Sequence, residues 1–454
     1  MREKLQQFAA AVRAAGGEAW VVGGSVRDGA LGRPCHDVDV EVYGVDMKTL
    51  ERALRRRYEV ARVGASWPVL KVRVPGIGEP LDVSLARRAG RDEAGRPCFV
   101  IDPGASREEA CRCRDLTINA MMEEPGTGEV VDLVGGRRDL ARGRLRAVDP
   151  SLFLVDPLRV LRVARQAAAL EFTVDPELVA LCRGASLEGV ASERVGEEWR
   201  RLLVQAEGRP SAGLEVLRAV GQLQPELEAL VGVPQDPTWH PEGDVWAHTC
   251  HVVDAAARIA TREGLEGEAR HVLMWAALCH DLGKATTTVE RGGRWAAPGH
   301  AAAGVPLTEA LLERLGVPTR VVRQVVPLVR EHMCHVHMRP DSREVRRLAR
   351  RLGEATVRMW GWLVEADHSG RPPLAPGAPA EPIVALARQM KLADQAPAPL
   401  VLGRHLIAVG LRPGPRFGPV LEQAFQAQLD GHFETVEDGL RFVRERGWLD
   451  AVAR

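Results

Sequence analysis

The segment VGGSVRDGALGRPCHDVDVEVYG, from Val22 to Gly44, decides the fold of the amino-terminal part of the chain. Side chains alternate between the two faces of a strand, so Asp37 and Asp39 should point the same way while the intervening valines pack inward. Two carboxylates on one face repel each other unless a cation lies between them. The pattern therefore predicts a Mg²⁺ site.

A glycine pair precedes these carboxylates. Gly23 and Gly24 end the predicted strand AWVV and let backbone amides approach a phosphate, with Ser25 and Arg27 as further donors at a helix start. A phosphate cradle beside a two-carboxylate metal site favours nucleotidyl transfer, because two metal ions can stabilise the attacking and leaving oxygens. Asp82, in the predicted strand LDVSLAR, is either a third catalytic carboxylate or a charge at a strand edge.

The opening segment resembles motif A of the class II nucleotidyltransferases, the group within the DNA polymerase beta superfamily that contains bacterial CCA-adding enzymes and poly(A) polymerases. The resemblance implies that Gly23, Gly24 and Arg27 hold a triphosphate and that the two aspartates hold metal ions. The later segment EVVDLVGGRRDL is similar to motif C, where we interpret Asp132 as a structural or hinge residue.

A second motif of the same family lies in RCRDLTINAMM, which resembles motif B. The resemblance implies that Arg114, Asp115 and Asn119 contact ribose and triphosphate. The family usually has two arginines before this aspartate, whereas here the first position is Cys113.

The segment VDPLRVLRVAR, residues 155–165, suggests how a protein could select a base. Pro157 suits the first turn of a helix, which places Asp156 near its start, with Arg159 and Arg162 on one face. Cytosine and adenine both present an amino donor beside a ring-nitrogen acceptor. A carboxylate beside an arginine would accept these two bases and leave groups unpaired with uracil or guanine.

This helix resembles motif D of the family, usually Glu-Asp-x-x-Arg, which selects CTP and ATP without a nucleic-acid template. Asp156 and Arg159 match the motif, and Arg162 and Arg165 are further nucleotide-binding candidates. Val155 replaces the glutamate, which removes an orienting partner of the arginine. The alternative interpretation is a charged face on a helical bundle.

A second constellation lies between His240 and Arg371, in the segments HPEGDVWAHTCH, ALCHDLGK, PGHAAAG, LVREHMCHVHM and VEADHSGR. These segments resemble the HD phosphohydrolase domain. The resemblance implies one metal ion held by His248, His280, Asp281 and Asp367, with His300 and His332 available for a second. Imidazoles with carboxylates favour a divalent transition metal, and Lys284 could hold the phosphate.

Length and composition fit several domains without a dominant charge. The chain has 454 residues, with 61 basic and 61 acidic side chains, so a polyanion must be bound by a local patch. The prediction is an α/β head with a DNA polymerase beta-like palm, followed by all-α neck, HD and tail domains. The predicted ranges are a nucleotidyltransferase head at 1–147, a neck with the base-selecting helix at 148–235, an HD domain at 236–370, and a linker with an RNA-binding tail at 371–454.

A similar pairing of head and HD domain occurs in one branch of bacterial CCA-adding enzymes. We therefore expect a cytoplasmic enzyme that adds CMP and AMP from CTP and ATP to the tRNA 3′ end, with phosphatase and 2′,3′-cyclic phosphodiesterase activity. In the tail, Arg412 and Arg416 could hold a backbone phosphate. Two alternatives stay open: a partial CC-adding or A-adding enzyme or a poly(A) polymerase, or chiefly an HD phosphohydrolase acting on nucleotides or RNA ends.

Overall fold

The computed structural model describes residues 1–34, 37–64, 67–206, 208–415 and 417–448. It contains two compact units, Met1–Glu198 with Ala212–Gln222, and Trp199–Ser211 with Leu223–Arg454. The chain therefore changes unit within the predicted neck. The four predicted domain ranges stay predictions.

The first unit is built on a mixed seven-stranded sheet of order β3-β4-β5-β2-β1-β8-β9, beside a hairpin of β6 and β7 and a short parallel pair of β10 and β11. The strands are β1 (Glu18–Val22), β2 (Asp39–Tyr43), β3 (Glu59–Val63), β4 (Val69–Arg73), β5 (Leu81–Leu85), β6 (Arg87–Arg91), β7 (Pro97–Ile101), β8 (Met122–Glu123), β9 (Val130–Val131), β10 (Arg144–Leu145) and β11 (Thr173–Val174).

Helices cover this sheet and extend beyond it. They are α1 (Arg2–Ala14), α2 (Gly24–Ala30), α3 (Met47–Leu54), α4 (Arg107–Arg112), α5 (Gly136–Ala141), α6 (Pro150–Phe153), α7 (Arg159–Leu170) and α8 (Pro176–Arg183). Two further helices span the division between the units, α9 (Ser192–Gln205) and α10 (Pro210–Ala219).

The central strand β2 separates two environments, as its alternation predicts. Val38 and Val40 are buried in the same core as Phe8 of α1. On the opposite face Asp37 and Asp39 are exposed. The sheet thus presents its carboxylates to solvent while its other face forms the main core of the unit.

The second unit is helical apart from one hairpin, β12 (Val289–Arg291) with β13 (Arg294–Ala296). Its helices are α11 (Pro225–Glu228), α12 (Val245–Arg262), α13 (Gly267–Cys279), α14 (Lys284–Thr287), α15 (His300–Arg314), α16 (Thr319–Glu331), α17 (Ser342–Leu352), α18 (Val357–Ser369), α19 (Glu381–Gln389), α20 (Gly403–Ala408), α21 (Phe417–Leu429) and α22 (Val436–Glu445). Among the described residues, none of these helices has the length and apolar composition needed to cross a bilayer.

Arginines of α17 hold the tail helix α21 in this unit. Arg343 and Arg347 both donate to Asp430 Oδ1, each from Nε at 2.9 Å, and the Arg350 guanidinium lies 5.5 Å from the ring of Phe425. These cations are therefore engaged within the fold. In the predicted phosphate turn of the tail, Arg412 is exposed, and Arg416 lies outside the described residues.

Candidate active sites

The first site lies where β1, β2 and β5 meet. β2 and β5 run parallel with Asp39 opposite Asp82, and Lys71 Nζ lies 2.7 Å from Asp82 Oδ1. Gly23 ends β1 with φ +76°, and a Cβ atom there would lie 3.0 Å from Asp39 Oδ2. Glycine is therefore required at this position both by its left-handed backbone and by the approach of the carboxylate.

The charges at this corner indicate a cation site. Desolvation raises the pKa of Asp39, Arg114 opposes this shift, and the carboxylates of Asp82 and Asp37 raise the pKa of Asp39 further. Three carboxylates therefore lie close together at the starts of β2 and β5. A divalent cation bound among them would relieve the repulsion.

The other residues of the glycine segment support the backbone. Ser25 Oγ donates to the carbonyl of Val22 at 2.9 Å, so this hydroxyl closes the turn between β1 and α2. A Cβ atom on Gly24 would lie 3.4 Å from Arg27 Nη2, so the glycine leaves room for this arginine.

Arg27 belongs to a series of partly buried hydrogen bonds that reaches motif B. Its guanidinium donates to both carboxylate oxygens of Asp28 at 2.8 and 2.9 Å, to Asn119 Oδ1 at 2.8 Å and to Gln166 Oε1 at 3.1 Å. Asn119 Nδ2 then donates to Asp115 Oδ1 at 3.2 Å. The structure therefore brings Arg27, Asn119 and Asp115 together, and their binding of nucleotide stays a prediction.

These polar contacts continue from Asp115 to the arginines of α7. Arg162 Nη1 lies 3.8 Å from Asp115 Oδ2, and its Nε donates to Glu198 Oε1 at 3.3 Å. Arg165 Nε donates to the other oxygen of Glu198 at 2.8 Å. Glu198, which sequence analysis missed, is a buried counter-charge for two of the predicted arginines.

Glu41 is a second residue that sequence analysis missed. It is buried on the same face of β2 as Asp39, accepts from Tyr43 Oη at 2.6 Å, and lies 3.1 Å from Arg114 Nη2. Burial would raise the pKa of Glu41, but Arg114 and Tyr43 outweigh it and lower the value. The alternation of acidic residues and valines in DVDVEV indicates this position, because alternate residues of a strand share a face and Asp37, Asp39 and Glu41 therefore lie together.

Arg159 is held without the glutamate of motif D. Its Nη1 donates to the carbonyl of Leu152 at 3.2 Å and its Nη2 to the carbonyl of Cys113, while the guanidinium lies 4.8 Å from the ring of Phe99. Main-chain carbonyls and an aromatic face thus fix this arginine, although Val155 occupies the position of the family's glutamate.

Asp156 lies near Arg159 but forms other contacts. Its Oδ1 accepts from the amide of Leu158 at 3.3 Å and lies 3.6 Å from Arg194 Nη2. The regular helix begins at Arg159, so Pro157 lies in the preceding turn and not in the first helical turn. The turn still keeps Asp156 adjacent to the helix start, since the amide of Arg159 donates to the carbonyl of Asp156 at 3.1 Å.

Asp132 has the structural contacts that its interpretation requires. Its carboxylate accepts from four successive backbone amides at 2.9–3.2 Å, those of Val134, Gly135, Gly136 and Arg137. Desolvation would raise the pKa of Asp132, but these amides outweigh it and lower the value. The residue therefore anchors the start of α5.

The second site is assembled from helix ends in the other unit. His248 lies in the first turn of α12, Asp367 in the last turn of α18, and three histidines adjoin helix termini: His280 after α13, His300 at the start of α15 and His332 after α16. His248 and His280 are completely buried. The polypeptide thus gathers imidazoles in its interior, where they contact one another and two aspartates.

Hydrogen bonds fix the tautomer of three of these histidines. The Nδ1 atoms of His280, His300 and His332 face the carbonyls of Ala277, Ala297 and Val329 at 2.7–2.8 Å, so each Nδ1 carries the proton. Each Nε2 is then an available electron-pair donor. His280 Nε2 is buried and has no hydrogen-bond partner among the described residues. An unpaired buried nitrogen fits a metal ligand.

The donor atoms form two adjacent sets, His248 with His280 and Asp367, and Asp281 with His300 and His332, each within 4.8 Å. Asp281 faces both sets, because its Oδ2 lies 3.2 Å from His280 Nε2 and its Oδ1 lies 3.4 Å from His300 Nε2. The resemblance placed Asp281 with the first metal, whereas this geometry suits a carboxylate between two.

The electrostatics of this centre differ from one ligand to another. Burial would lower the pKa of His248, but its contacts with Asp367 and Glu242 raise it to about 9, so a metal ion bound there would displace a proton. Burial, with the nearby His280 and His300, lowers the pKa of His332 to about 3, so this imidazole is neutral. Burial would raise the pKa of Asp281, but His280 and Lys284 hold it well below its usual range. Neutral imidazoles beside ionised carboxylates are a ligand set for a divalent transition metal.

Two further side chains border this centre. Lys284 Nζ lies 2.7 Å from Asp281 Oδ2 and donates to Gln235 Oε1 at 2.8 Å. Glu242, missed by sequence analysis, places its Oε1 2.7 Å from His248 Nδ1 and 2.9 Å from His240 Nδ1. A carboxylate behind an imidazole orients the ring and increases its basicity as a ligand.

Family models match both sites. The poly A polymerase head domain matches residues 19–146, which contain the three strand carboxylates, and the HD domain matches residues 245–396, which contain the histidine centre. The fold and sites therefore define a nucleotidyltransferase that carries an HD domain.

Relatives in sequence narrow this class. The multifunctional CCA protein of Xanthomonas campestris pv. campestris strain B100 is 38% identical over 429 residues, covering 89% of this chain and 96% of that protein. The multifunctional CCA protein of Pseudomonas aeruginosa PAO1 is 39% identical over 339 residues, covering 72% of this chain and 77% of that protein. The chain belongs to the multifunctional CCA protein family.

Solved structures show the same fold at lower identity. The CCA-adding enzyme of Bacillus stearothermophilus in complex with CTP has a TM-score of 0.65 and 21% identity, over 99% of this chain and 98% of that chain. The Thermotoga maritima CCA-adding enzyme complexed with tRNA_CCA has a TM-score of 0.59 and 17% identity, covering 97% of this chain and 94% of that chain. The predicted fold class is thereby confirmed.

Proposed function

We propose that the head adds cytidylate and adenylate to the 3′ end of tRNA from CTP and ATP without a nucleic-acid template. We assign to the HD centre the hydrolysis of phosphomonoesters and 2′,3′-cyclic phosphates at RNA ends. The observation that supports the first assignment best is the alignment of Asp39 with Asp82 beside Gly23, in a chain of the multifunctional CCA protein family.

In the head, Asp37, Asp39 and Asp82 would hold Mg²⁺, which supplies charge stabilisation for the attacking 3′ oxygen and the departing pyrophosphate. The amides after Gly23 would approach the triphosphate, since Gly23 and Gly24 carry no side chains. Arg114, held by Glu41, supplies a fixed cation beside them. Catalysis would consist of positioning and charge stabilisation, so no protein nucleophile is needed.

Base selection would rest on Asp156 and Arg159. Two main-chain carbonyls and the ring of Phe99 hold the guanidinium in one orientation, from which it can donate to a ring nitrogen. The carboxylate of Asp156 can accept from the exocyclic amino group of cytosine or adenine. Uracil or guanine would leave both groups unpaired.

In the HD centre, His248, His280 and Asp367 would hold one divalent transition metal and His300 and His332 a second, with Asp281 facing both sets. Such metals supply an activated water at neutral pH. The protein limits the access of bulk water by burying Asp281 and the four histidines, and Lys284 provides a cation for the phosphate at the edge of the centre.

The direct test uses purified protein, Mg²⁺ and tRNA transcripts that end before CCA, after C and after CC. Each nucleoside triphosphate is supplied alone and in mixture, and the 3′ ends are sequenced. Ordered addition of C, C and A, with U and G refused, is the expected result. Addition of CC alone, of A alone or of a long A tail would replace the proposal with the corresponding activity.

A further inference from the structure

Arg87, the first residue of β6, has no role in the function described so far. It follows β5, the strand that carries Asp82, and its guanidinium lies 5.8 Å from the exposed ring of Trp67. Among the residues that the structure describes, its side chain makes no hydrogen bond or ion pair, and its Nε is buried without a partner. A charged donor in this condition costs stability unless a ligand satisfies it.

The surroundings of Arg87 contain an excess of positive charge. The charges that act on its guanidinium include those of Arg114, Glu41 and Arg162, and Arg159 has Arg87 among its own neighbours. Glu41 already lies 3.1 Å from Arg114, so it does not neutralise Arg87 as well. Burial and then the repulsion by Arg114 lower the pKa of Arg87.

Unpartnered donors recur on two other arginines of this group. The Nε atoms of Arg87, Arg114 and Arg159 are all buried and lack a hydrogen-bond partner in the described part of the chain. Each belongs to a guanidinium that is held in place by other contacts, with Trp67, Glu41 and Phe99 respectively. Fixed guanidinium groups with free donors suit oxyanions, because the planar fork matches phosphate oxygens.

We propose that Arg87 binds a phosphate oxyanion of the transfer reaction, from the triphosphate of the incoming nucleotide or from the phosphodiester backbone at the RNA 3′ end. This inference rests on the proposed function of the head. Arg87 supplies a cation near Arg114 from strand β6, in a chain whose motif B has Cys113 where the family usually has an arginine.

The test measures binding without turnover, using the full chain. The affinity for CTP with Mg²⁺ is measured by calorimetry without RNA, and the affinity for a tRNA transcript ending in CC by filter binding without nucleotide at several salt concentrations. In Arg87→Ala, one affinity should fall on the order of tenfold. Weaker CTP binding assigns the triphosphate. Weaker tRNA binding, with a salt slope reduced by about one, assigns the RNA backbone.

Arg88→Ala is the matched control, because Arg88 is the adjacent arginine, with its Nε 2.6 Å from Asp102 Oδ2, and should leave both affinities unchanged. Arg87→Lys retains the charge without the planar fork and should weaken the same ligand less, which keeps the test valid if Arg87→Ala folds poorly. Unchanged affinities in Arg87→Lys and in a folded Arg87→Ala would overturn the inference. Failure of the wild-type chain to bind either ligand would instead reject the proposed function, and this inference with it.

Discussion

The head and the HD centre place their ligands in opposite environments. Asp37 and Asp39 are exposed at the start of the central strand β2, whereas His248 and His280 are completely buried between helix ends. Mg²⁺ is commonly held by one or two carboxylates together with substrate phosphates, so the head needs its substrate to complete the site. The HD centre has enough imidazoles and carboxylates to hold metal before substrate arrives. The two sites should therefore respond differently to the same perturbations.

The largest expected effect separates the two chemistries. Asp39→Asn should lower the rate of nucleotide incorporation roughly a thousandfold, because the lost charge stabilisation is worth several kcal/mol, and should leave phosphate release unchanged. Asp281→Asn should do the reverse. Both rates are measured on the same preparations, with a tRNA transcript lacking CCA for transfer and a 2′,3′-cyclic nucleotide for hydrolysis.

The control for this pair is Lys48→Ala, an exposed change on α3 away from either ligand set, which should retain both activities. Loss of both activities in either aspartate variant, with an unchanged melting temperature, would contradict two independent sites.

The second prediction concerns metal binding to the resting protein. After treatment with a chelator, a divalent transition metal supplied at about a hundredfold excess over its Kd should stabilise the chain by about 2.7 kcal/mol and raise its melting temperature. Mg²⁺ alone should raise the melting temperature much less, because the head site lacks the substrate phosphates that complete a Mg²⁺ site of this kind. Thermal melting with and without each metal measures the difference.

His280→Ala should abolish this stabilisation, since it removes a buried ligand whose Nε2 makes no hydrogen bond in the described chain and faces Asp281. Asp39→Asn should retain it. An equal response to Mg²⁺ and to transition metals, or a full response in His280→Ala, would show that the HD centre is not the site of metal binding.

The two regions also differ in how far sequence predicts them. In the head, a period of two places the carboxylates on one face of β2, and burial of Val38 and Val40 confirms that alternation. The same rule applies to Glu41, but a strand pattern cannot show that a carboxylate is buried against Arg114. That contact joins residues far apart in the chain, so it depends on the tertiary fold.

For the HD centre, sequence supplies the ligand types but not their grouping. The placement of Asp281 between two sets depends on the packing of α13, α15 and α16, whose ends bring His280, His300 and His332 together. Glu242 lies two residues from His240, yet only the folded loop places it behind His248. Helix-end geometry of this kind leaves no periodic pattern in the chain.

A third prediction distinguishes carboxylates within the head. Asp132 is bonded to four backbone amides, so Asp132→Asn should cost about 1–2 kcal/mol of stability at pH 7 and leave the rate constant for transfer unchanged. The folded-state pKa of Asp132 is lowered, so its contribution is present above the unfolded value near 3.9 and is lost as pH falls below it.

The difference in melting temperature between wild type and Asp132→Asn should therefore be largest near neutrality and shrink below about pH 4. A matched variant is Asp92→Asn, a half-buried turn carboxylate that accepts from the amides of Ala94 and Arg96 outside the site. A fall in the rate constant for Asp132→Asn without a change in melting temperature would instead place Asp132 among the catalytic groups.

The smallest expected effect concerns the contact between the Arg159 guanidinium and the ring of Phe99. Phe99→Leu removes an aromatic face worth about 0.5–1 kcal/mol, so the preference for CTP over UTP should fall by a factor of about 2–5, measured as the ratio of kcat/KM on a transcript lacking CCA. Val100→Ala, whose side chain points to the other face of β7, should leave the ratio unchanged. Because the carbonyls of Leu152 and Cys113 already fix the guanidinium, Val155→Glu should improve the ratio less than Phe99→Leu reduces it. A larger gain from the glutamate would show that main-chain carbonyls hold this arginine less well than the carboxylate they replace.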